Sequence, residues 1–136
     1  MPIGETQAMI AGMTPTLVDG TYVFCTTPDP ALGARCMHDA IGMFRELEGL
    51  SFLLPVERAE ALGFSVALPM RQITLNVYSA LDGVGLTAAV ATALADHGIA
   101  CNMVAAHHHD HVFVPAERAT TAMEVLEALS RRETSS

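Results

Sequence analysis

The segment His107-His108-His109-Asp110-His111 carries the side chains best suited to metal chemistry in this sequence. Imidazole and carboxylate groups are the ligands that zinc and similar ions prefer. On an extended strand His107, His109 and His111 would share one face, so a metal-dependent hydrolase or lyase is one hypothesis. Metal ligands must converge, however, and a hairpin turn inside the segment would break the alternation. A solvated polar hairpin, a subunit contact and a His that contacts an effector or responds to pH are the alternatives.

A glycine-containing turn provides a second candidate site, at Asp82-Gly83-Val84-Gly85-Leu86. Glycines let a ligand approach the backbone closely, and the N–H groups at a helix N-terminus can hold a carboxylate. Asp82 could accept a hydrogen bond from a ligand amino group, or it could only cap the helix. Asn102, between Cys101 and Met103, could bind a ligand's amide or carboxylate, or only satisfy a turn. The predicted ligand site consists of eight residues, Asp82 to Leu86 and Cys101 to Met103. No metal ligand is predicted, and His107, His109 and His111 remain the alternative for a metal site.

The elements that position these residues occur in an internal repeat. Pro55-Val56-Glu57-Arg58-Ala59 returns sixty residues later as Pro115-Ala116-Glu117-Arg118-Ala119, and an apolar run precedes each copy. We therefore expect one supersecondary unit used twice, in domains 1–69 and 70–136. The strand-to-helix path around the two prolines should be the same in both copies, and the two Glu-Arg pairs are interpreted as exposed charges of the first helical turn.

The order of predicted elements indicates an α+β, ferredoxin-like fold with antiparallel sheets. The second copy reads β-α-β-β-α and lacks a closing strand, which the N-terminal segment or a neighbouring subunit could supply. The first copy has a short helix over Ala31–His38 and a last predicted strand over Phe64–Leu68. An unpaired sheet edge would favour a symmetric homodimer.

Four segments together resemble a family of small, stand-alone bacterial proteins with tandem ACT-like units. The turn has the Asp, Gly and Leu of the D-x-x-G-x-L pattern, and His97–Met103 is similar to the following helix end and strand start. His109–Pro115 and Gly20–Phe24 resemble the third and first strands. The resemblance implies two βαββαβ units, amino-acid binding, and regulation of enzymes or transcription. The first copy departs from the pattern, with Pro28–Gly33 in place of the turn.

Composition excludes several other functions. The chain has a net charge of −8 and no lysine, which argues against binding to nucleic acid or to an anionic membrane. No secretory signal is evident, and three widely spaced cysteines indicate reduced thiols in a cytoplasmic protein. No nucleotide-binding or hydrolase motif is present, so we predict no catalytic residue and no cofactor. The expected function is non-enzymatic binding of a small effector, with a metal-dependent enzyme and a ligand-free scaffold as the alternatives.

Overall fold

The computed structural model describes residues 5–77 and 85–135. These residues form two compact units. The continuous unit is Gly20–Met70, and the discontinuous unit comprises the described residues of Met1–Asp19 and Arg71–Ser136. In chain order the elements are α1 (Glu5–Ala11), β1 (Pro15–Leu17), β2 (Tyr22–Thr27), α2 (Pro30–Asp39), β3 (Gly42–Glu46), β4 (Gly49–Pro55), α3 (Val56–Ala61), β5 (Met70–Leu75), α4 (Leu86–Asp96), β6 (Asn102–Ala105), β7 (Asp110–Pro115), a 3-10 turn (Ala116–Arg118) and α5 (Ala119–Ser135). No helix within the described ranges is long and apolar enough to cross a membrane.

The continuous unit is a three-stranded antiparallel sheet covered on one face by helices. Its strand order is β3-β4-β2, because β4 pairs with both of its neighbours. Alternate residues of the strands point to the helices, as the two-residue period of a strand requires. The core is formed by Val23, Cys25, Cys36, Phe52, Leu54 and Ala59.

The strand predicted over Phe64–Leu68 is absent, which corrects the sequence analysis. Gly63, with φ +89°, ends the preceding turn, and the side chain of Ser65 accepts a hydrogen bond from the backbone N–H of Ala67 at 3.3 Å. Such local side-chain bonds compete with strand pairing. The chain becomes extended again only at Met70, where β5 begins.

The discontinuous unit obtains its closing strand from the N-terminus. β1 pairs antiparallel with β5, with Pro15 opposite Leu75 and Leu17 opposite Ile73, so the strand order is β1-β5-β7-β6. Helix α1 packs on α5, and Met9, Ile10 and Met13 enter the same core as α4 and α5. Of the two sources predicted for the missing strand, the N-terminal segment is therefore the one that supplies it.

The sixty-residue repeat has the same geometry in both units. Gly42 lies opposite Leu53 in one hairpin, and Asn102 lies opposite Phe113 in the other, so the two registers match at an offset of sixty. Pro55 has φ −55° and ψ 140°, and Pro115 has φ −52° and ψ 135°. Each proline ends a strand and leads into a helical turn. The common strand-to-helix path predicted from the repeat is confirmed.

The two repeated arginines both bind the end of the preceding helix in their own unit. Arg58 Nε donates to Asp39 Oδ2 at 2.7 Å, at the C-terminal end of α2. Arg118 Nη2 donates to the carbonyl oxygen of His97 at 3.2 Å, where α4 ends. A helix C-terminus carries partial negative charge, so a cation is favourable there. The repeat therefore has a structural role that its interpretation as surface charge did not include.

Candidate functional site

The predicted turn leads into α4 through a glycine in the left-handed region. Gly85 has φ +107° and ψ −28° and is the N-cap residue of α4. Leu86, the first helical residue, is buried in the core and fixes the position of this helix end. A glycine N-cap has no side chain with which to bond the first-turn N–H groups. Asp82, Gly83 and Val84 lie outside the described residues, so the structure covers only the last two positions of the turn.

The other half of the predicted site lies at the start of β6. Cys101 and Met103 pack against the core of the discontinuous unit, and burial raises the pKa of the Cys101 thiol above its ordinary value. Asn102 lies on the other face of the sheet, and its Nδ2 atom donates to the carbonyl oxygen of Phe113 at 3.4 Å. Asn102 is the member of the three whose side chain is directed away from the core.

Within one unit these two halves lie at opposite ends of the sheet. Helix α4 has eleven residues, so its ends are about 16 Å apart. Cys101 follows the C-terminal end of α4, whereas Gly85 is at its N-terminal end. His109 Nδ1 is 3.5 Å from the carbonyl oxygen of Val77, so the β6–β7 turn lies at the end of β5 from which the chain leads to α4. A small ligand cannot touch Gly85 and Cys101 of the same unit, so a site that uses both residues requires two copies of the discontinuous unit.

The corresponding helix of the continuous unit is capped by its own side chain. Asp29 Oδ1 accepts a hydrogen bond from the N–H of Ala31 at 3.0 Å, and Thr27 Oγ1 accepts one from the N–H of Asp29 at 3.1 Å. The first-turn N–H of Ala31 and the N–H of the N-cap residue Asp29 thus have partners inside the chain. The departure of Pro28–Gly33 from the ACT turn pattern corresponds to this self-capped geometry.

The histidine segment forms a hairpin turn and not a continuous strand face. The N–H of Ala106 donates to the carbonyl oxygen of His109 at 3.1 Å, so His107 and His108 occupy the turn. Their rings meet edge to face with centroids 4.9 Å apart. His109 instead lies near the carbonyl oxygen of Val77, and His111 contacts Gln72 and Thr74. Within residues 5–77 and 85–135, no group of three or more His, Cys, Asp or Glu side chains is arranged to hold a metal ion.

His111 belongs to a small polar cluster on the helix-free face of the sheet. Its Nδ1 atom is 3.1 Å from Gln72 Nε2 and 3.0 Å from Thr74 Oγ1. An amide nitrogen can only donate, so Nδ1 accepts and the proton of the neutral ring is on Nε2. Burial lowers the pKa of His111 below its ordinary value, His109 lowers it further, and Asp110 opposes both effects. These surroundings therefore favour the neutral form of the ring.

Gln72 and Thr74 were not among the predicted site residues. Both alternate with the core residues Ile73 and Leu75 along β5, and this alternation was visible in the sequence. The pattern indicates which side chains leave the core, but not which residue of a distant strand they meet. The pairing with His111 depends on β7 lying beside β5.

Comparison with known proteins identifies the class to which this fold and turn belong. Two ACT domain profiles match the chain, over residues 3–71 and residues 68–128. A Vibrio cholerae protein of unknown function, described as a possible transport protein, is 42% identical, with a TM-score of 0.80 over 90% of this chain and 93% of that one. The chain therefore belongs to the ACT domain family, with two domains in tandem. ACT domains are regulatory, small-molecule-binding domains and not catalytic ones.

Other solved structures share the fold at low sequence identity. An Agrobacterium tumefaciens protein is 18% identical, with a TM-score of 0.62 over 85% of this chain and 87% of that one. The ligand-free regulatory subunit of aspartate kinase from Thermus thermophilus is 11% identical, with a TM-score of 0.64 over 87% and 97% of the two chains. The comparison with curated proteins gave no match.

Proposed function

We propose that this protein is a cytoplasmic, non-enzymatic regulator that binds an amino acid between two copies of its discontinuous unit. The observation that carries the proposal is the difference between the two helix starts. In the continuous unit Asp29 caps α2, whereas α4 begins at a left-handed glycine with no side chain. The ACT family indicates a role in small-molecule binding. The difference between the helix starts favours the discontinuous unit as the one that binds the ligand.

In this proposal the ligand carboxylate bonds the first-turn N–H groups of α4. These groups carry the partial positive charge of the helix N-terminus, which favours an anion. Asp82 accepts a hydrogen bond from the ligand amino group. Asn102 of the second copy contacts the other side of the ligand, since the Asn102 amide is directed away from the core.

An antiparallel pairing of two β6 strands would bring these groups together. β6 is the last strand of its sheet in the part of the chain that the structure describes, and its sequence Asn-Met-Val-Ala contains no charge. Pairing this strand with its two-fold copy places the strand start of one subunit beside the turn end of the other. An edge strand without charges is suited to such pairing. The homodimer predicted from a missing strand is thus proposed for a different reason, because β1 closes that edge of the sheet.

Regulation follows if the ligand prefers the paired state. A ligand shared between two copies binds the dimer and not the separate chains, so it shifts the equilibrium toward the dimer.

The three cysteines are free thiols, and burial raises the pKa values of Cys25 and Cys36 above the ordinary value. Such thiols are unreactive, as a reduced cytoplasmic protein would need.

The proposal can be tested by a thermal screen with the twenty amino acids. An amino acid at one hundred times its Kd should stabilise the folded protein by about 2.7 kcal/mol. For a chain of this size that corresponds to a rise in melting temperature of roughly 10 °C. If no amino acid raises the melting temperature at millimolar concentration, the proposal is wrong.

A pair of glycine variants separates ligand binding from backbone strain. Gly85→Ala and Gly98→Ala both place a side chain at positive φ, +107° and +68° respectively, at the two ends of α4. Each should lower stability by about 1–2 kcal/mol. Only Gly85→Ala should also remove the thermal shift, because Gly98 lies at the far end of the helix. Equal ligand responses in the two variants would contradict binding at the start of α4.

A further inference from the structure

One buried carboxylate of the discontinuous unit has no partner to balance its charge. Asp110, the first residue of β7, is only 7% exposed. The other buried polar side chain among the described residues is Thr27, which accepts a hydrogen bond from the N–H of Asp29. Within residues 5–77 and 85–135 no hydrogen bond or salt bridge is made to the Asp110 side chain. Burial of an unpartnered carboxylate costs free energy, so this residue calls for a functional explanation.

Asp110 lies on the helix-covered face of the sheet, at the end where α4 begins. Side chains alternate along a strand, and Val112 and Val114 of the same strand lie in the core. Asp110 therefore points to the side on which α4 and α5 pack. The β6–β7 turn is next to the end of β5, because His109 Nδ1 is 3.5 Å from the carbonyl oxygen of Val77. The chain leads from that end of β5 to α4, so Asp110 and the start of α4 share one end of the unit.

The continuous unit has an apolar residue at the equivalent position. Sixty residues before Asp110 the chain has Leu50, which packs against the core of its own unit. A methyl group of Leu50 lies 3.2 Å from the position that a Cβ of Gly33 would occupy, and Gly33 is in the first turn of α2. Because the two hairpins have the same register, we expect Asp110 to face the first turn of α4 in the same way. The fold therefore accepts a leucine at this position and does not require an acid.

Two arginines of the discontinuous unit donate to backbone oxygens and not to Asp110. Arg71 Nη2 bonds the carbonyl oxygen of Val18, and Arg118 Nη2 bonds a carbonyl oxygen at the opposite end of α4. His111 is the next residue along β7, so its ring lies on the other face of the sheet. Residues 78–84 contain no basic side chain, and the whole chain has a net charge of −8, which attracts cations. A bound ligand is the remaining source of a positive charge for this carboxylate.

We propose that Asp110 binds the positively charged side chain of the ligand, which is therefore a basic amino acid such as lysine or arginine. This inference rests on the proposed function, in which the ligand carboxylate bonds the first-turn N–H groups of α4. A basic amino acid carries its carboxylate and its side-chain cation at opposite ends of an extended molecule. One end can thus bond the helix start while the other forms a charge-assisted hydrogen bond with the acid that faces the same turn. A metal ion is not the expected cation, because the described residues form no group of three potential ligands.

Amino acids that differ by one charge test the proposal directly. Citrulline has the shape of arginine without its positive charge, and norleucine has the shape of lysine without its ammonium group. Isothermal titration calorimetry of the full chain measures Kd for all four. Arginine or lysine should bind at least about tenfold more tightly than its neutral analogue. If a neutral or acidic amino acid binds more tightly than both, the role of Asp110 is wrong and the proposed function stands; if no amino acid binds, both are wrong.

The variant Asp110→Asn removes the charge at nearly constant size, and Asp96→Asn is its matched control. Asp96 is exposed and belongs to the other end of α4, so the control changes the net charge of the same unit equally. Asp110→Asn should weaken the binding of the basic amino acid at least about tenfold and leave that of its neutral analogue unchanged. Asp96→Asn should change neither. Equal affinities of the wild type and Asp110→Asn for the basic amino acid would overturn the proposal.

Urea unfolding without ligand separates a binding role from a structural one. Asp110→Leu introduces the side chain that the repeat carries at Leu50, and Asp110→Asn retains the size of the acid. If Asp110 serves the ligand, the wild type bears the cost of a buried charge, and neither variant should be less stable than the wild type. A loss of stability in both variants would assign Asp110 to a structural contact and would contradict the proposal.

Discussion

The clearest energetic prediction concerns Gly49, which closes the β3–β4 hairpin. Gly49 begins β4 and has φ +148°. A Cβ atom placed there would lie 2.5 Å from the carbonyl oxygen of Thr27 and 2.8 Å from its carbonyl carbon. Both atoms belong to the backbone of a paired strand, so neither can move aside without disturbing β2. The variant Gly49→Ala should therefore be strongly destabilised.

The size of the effect can be worked out from two contributions. Overpacking against fixed neighbours costs about 1–3 kcal/mol, and a non-glycine residue in an unfavourable backbone region costs about 1–3 kcal/mol. Gly49→Ala should thus lose about 2–6 kcal/mol of unfolding free energy. Gly63→Ala is the matched control, because Gly63 has φ +89° but no atom lies within 4 Å of its Cβ position. That variant should lose only about 1–2 kcal/mol.

Equilibrium unfolding of the full chain in urea, followed by circular dichroism, measures both variants. The difference between them measures the contact with Thr27 together with the difference in backbone strain between φ +148° at Gly49 and φ +89° at Gly63. If Gly49→Ala were as stable as Gly63→Ala, the close approach of β4 to Thr27 would be wrong. At the equivalent position of the other hairpin the chain has His109, so His109→Ala should cause no comparable loss.

Three further predictions follow from single contacts. The pKa of His111 is lowered from about 6.5, so the unfolded chain binds the proton more readily than the folded one; stability should therefore be highest above pH 6.5 and fall as the pH drops below that value. In thermal unfolding, His111→Gln should lose less stability than the wild type between pH 7.5 and 5.5. An equal loss in both proteins would exclude His111 as a contributor. Arg58→Ala and Arg118→Ala should each cost no more than about 1 kcal/mol in urea unfolding, because the Arg58 side chain is 46% exposed and such pairs are screened; the loss for Arg58→Ala should shrink in 1 M salt. Zinc addition or chelator treatment should leave the melting temperature unchanged, since His109 and His111 contact Val77, Gln72 and Thr74; a rise with zinc that His109→Ala removes would restore the metal hypothesis.

The tandem fold could be predicted from the sequence because its signals are local. The proline at each of the two strand ends has its φ fixed near −65°, which suits the helical turn that follows it. The alternation along β5 and the apolar face of α4 are likewise properties of short segments. The pattern of residues predicts the β3–β4 turn at Glu48-Gly49, one residue late, whereas the structure has Leu47 and Glu48 in the turn. Errors of this size are typical of element boundaries, which depend on register.

The closing strand of the discontinuous unit could be anticipated only as one of two possibilities. β1 has three residues, and Pro15–Leu17 is too short to show a strand period. Its partner β5 begins more than fifty residues later, so the pairing depends on tertiary contacts that no window of sequence contains. The anchoring contacts are similarly distant, since Asn76 donates to the carbonyl oxygen of Thr14 at 2.9 Å.

The candidate site was predicted as a set of residues but not as an arrangement. The glycine turn and the strand start each have local signatures, and Gly85, Leu86 and Asn102 lie on the elements expected for them. The sequence could not show that α4 separates the two halves by its whole length. That separation follows from the path of the chain through helix and hairpin, and it is the reason that we propose a site between two copies.

The two copies of the repeat share a backbone path but differ in their side chains at the helix start and at the hairpin. In one copy the helix start is capped by Asp29 and the hairpin edge is apolar. In the other the helix start is the glycine Gly85, and the same hairpin turn carries histidines. Each difference lies at a position that the backbone leaves free, because the registers of both hairpins are the same. A substitution in one hairpin can therefore change the surface of that unit without changing the helix start of the other.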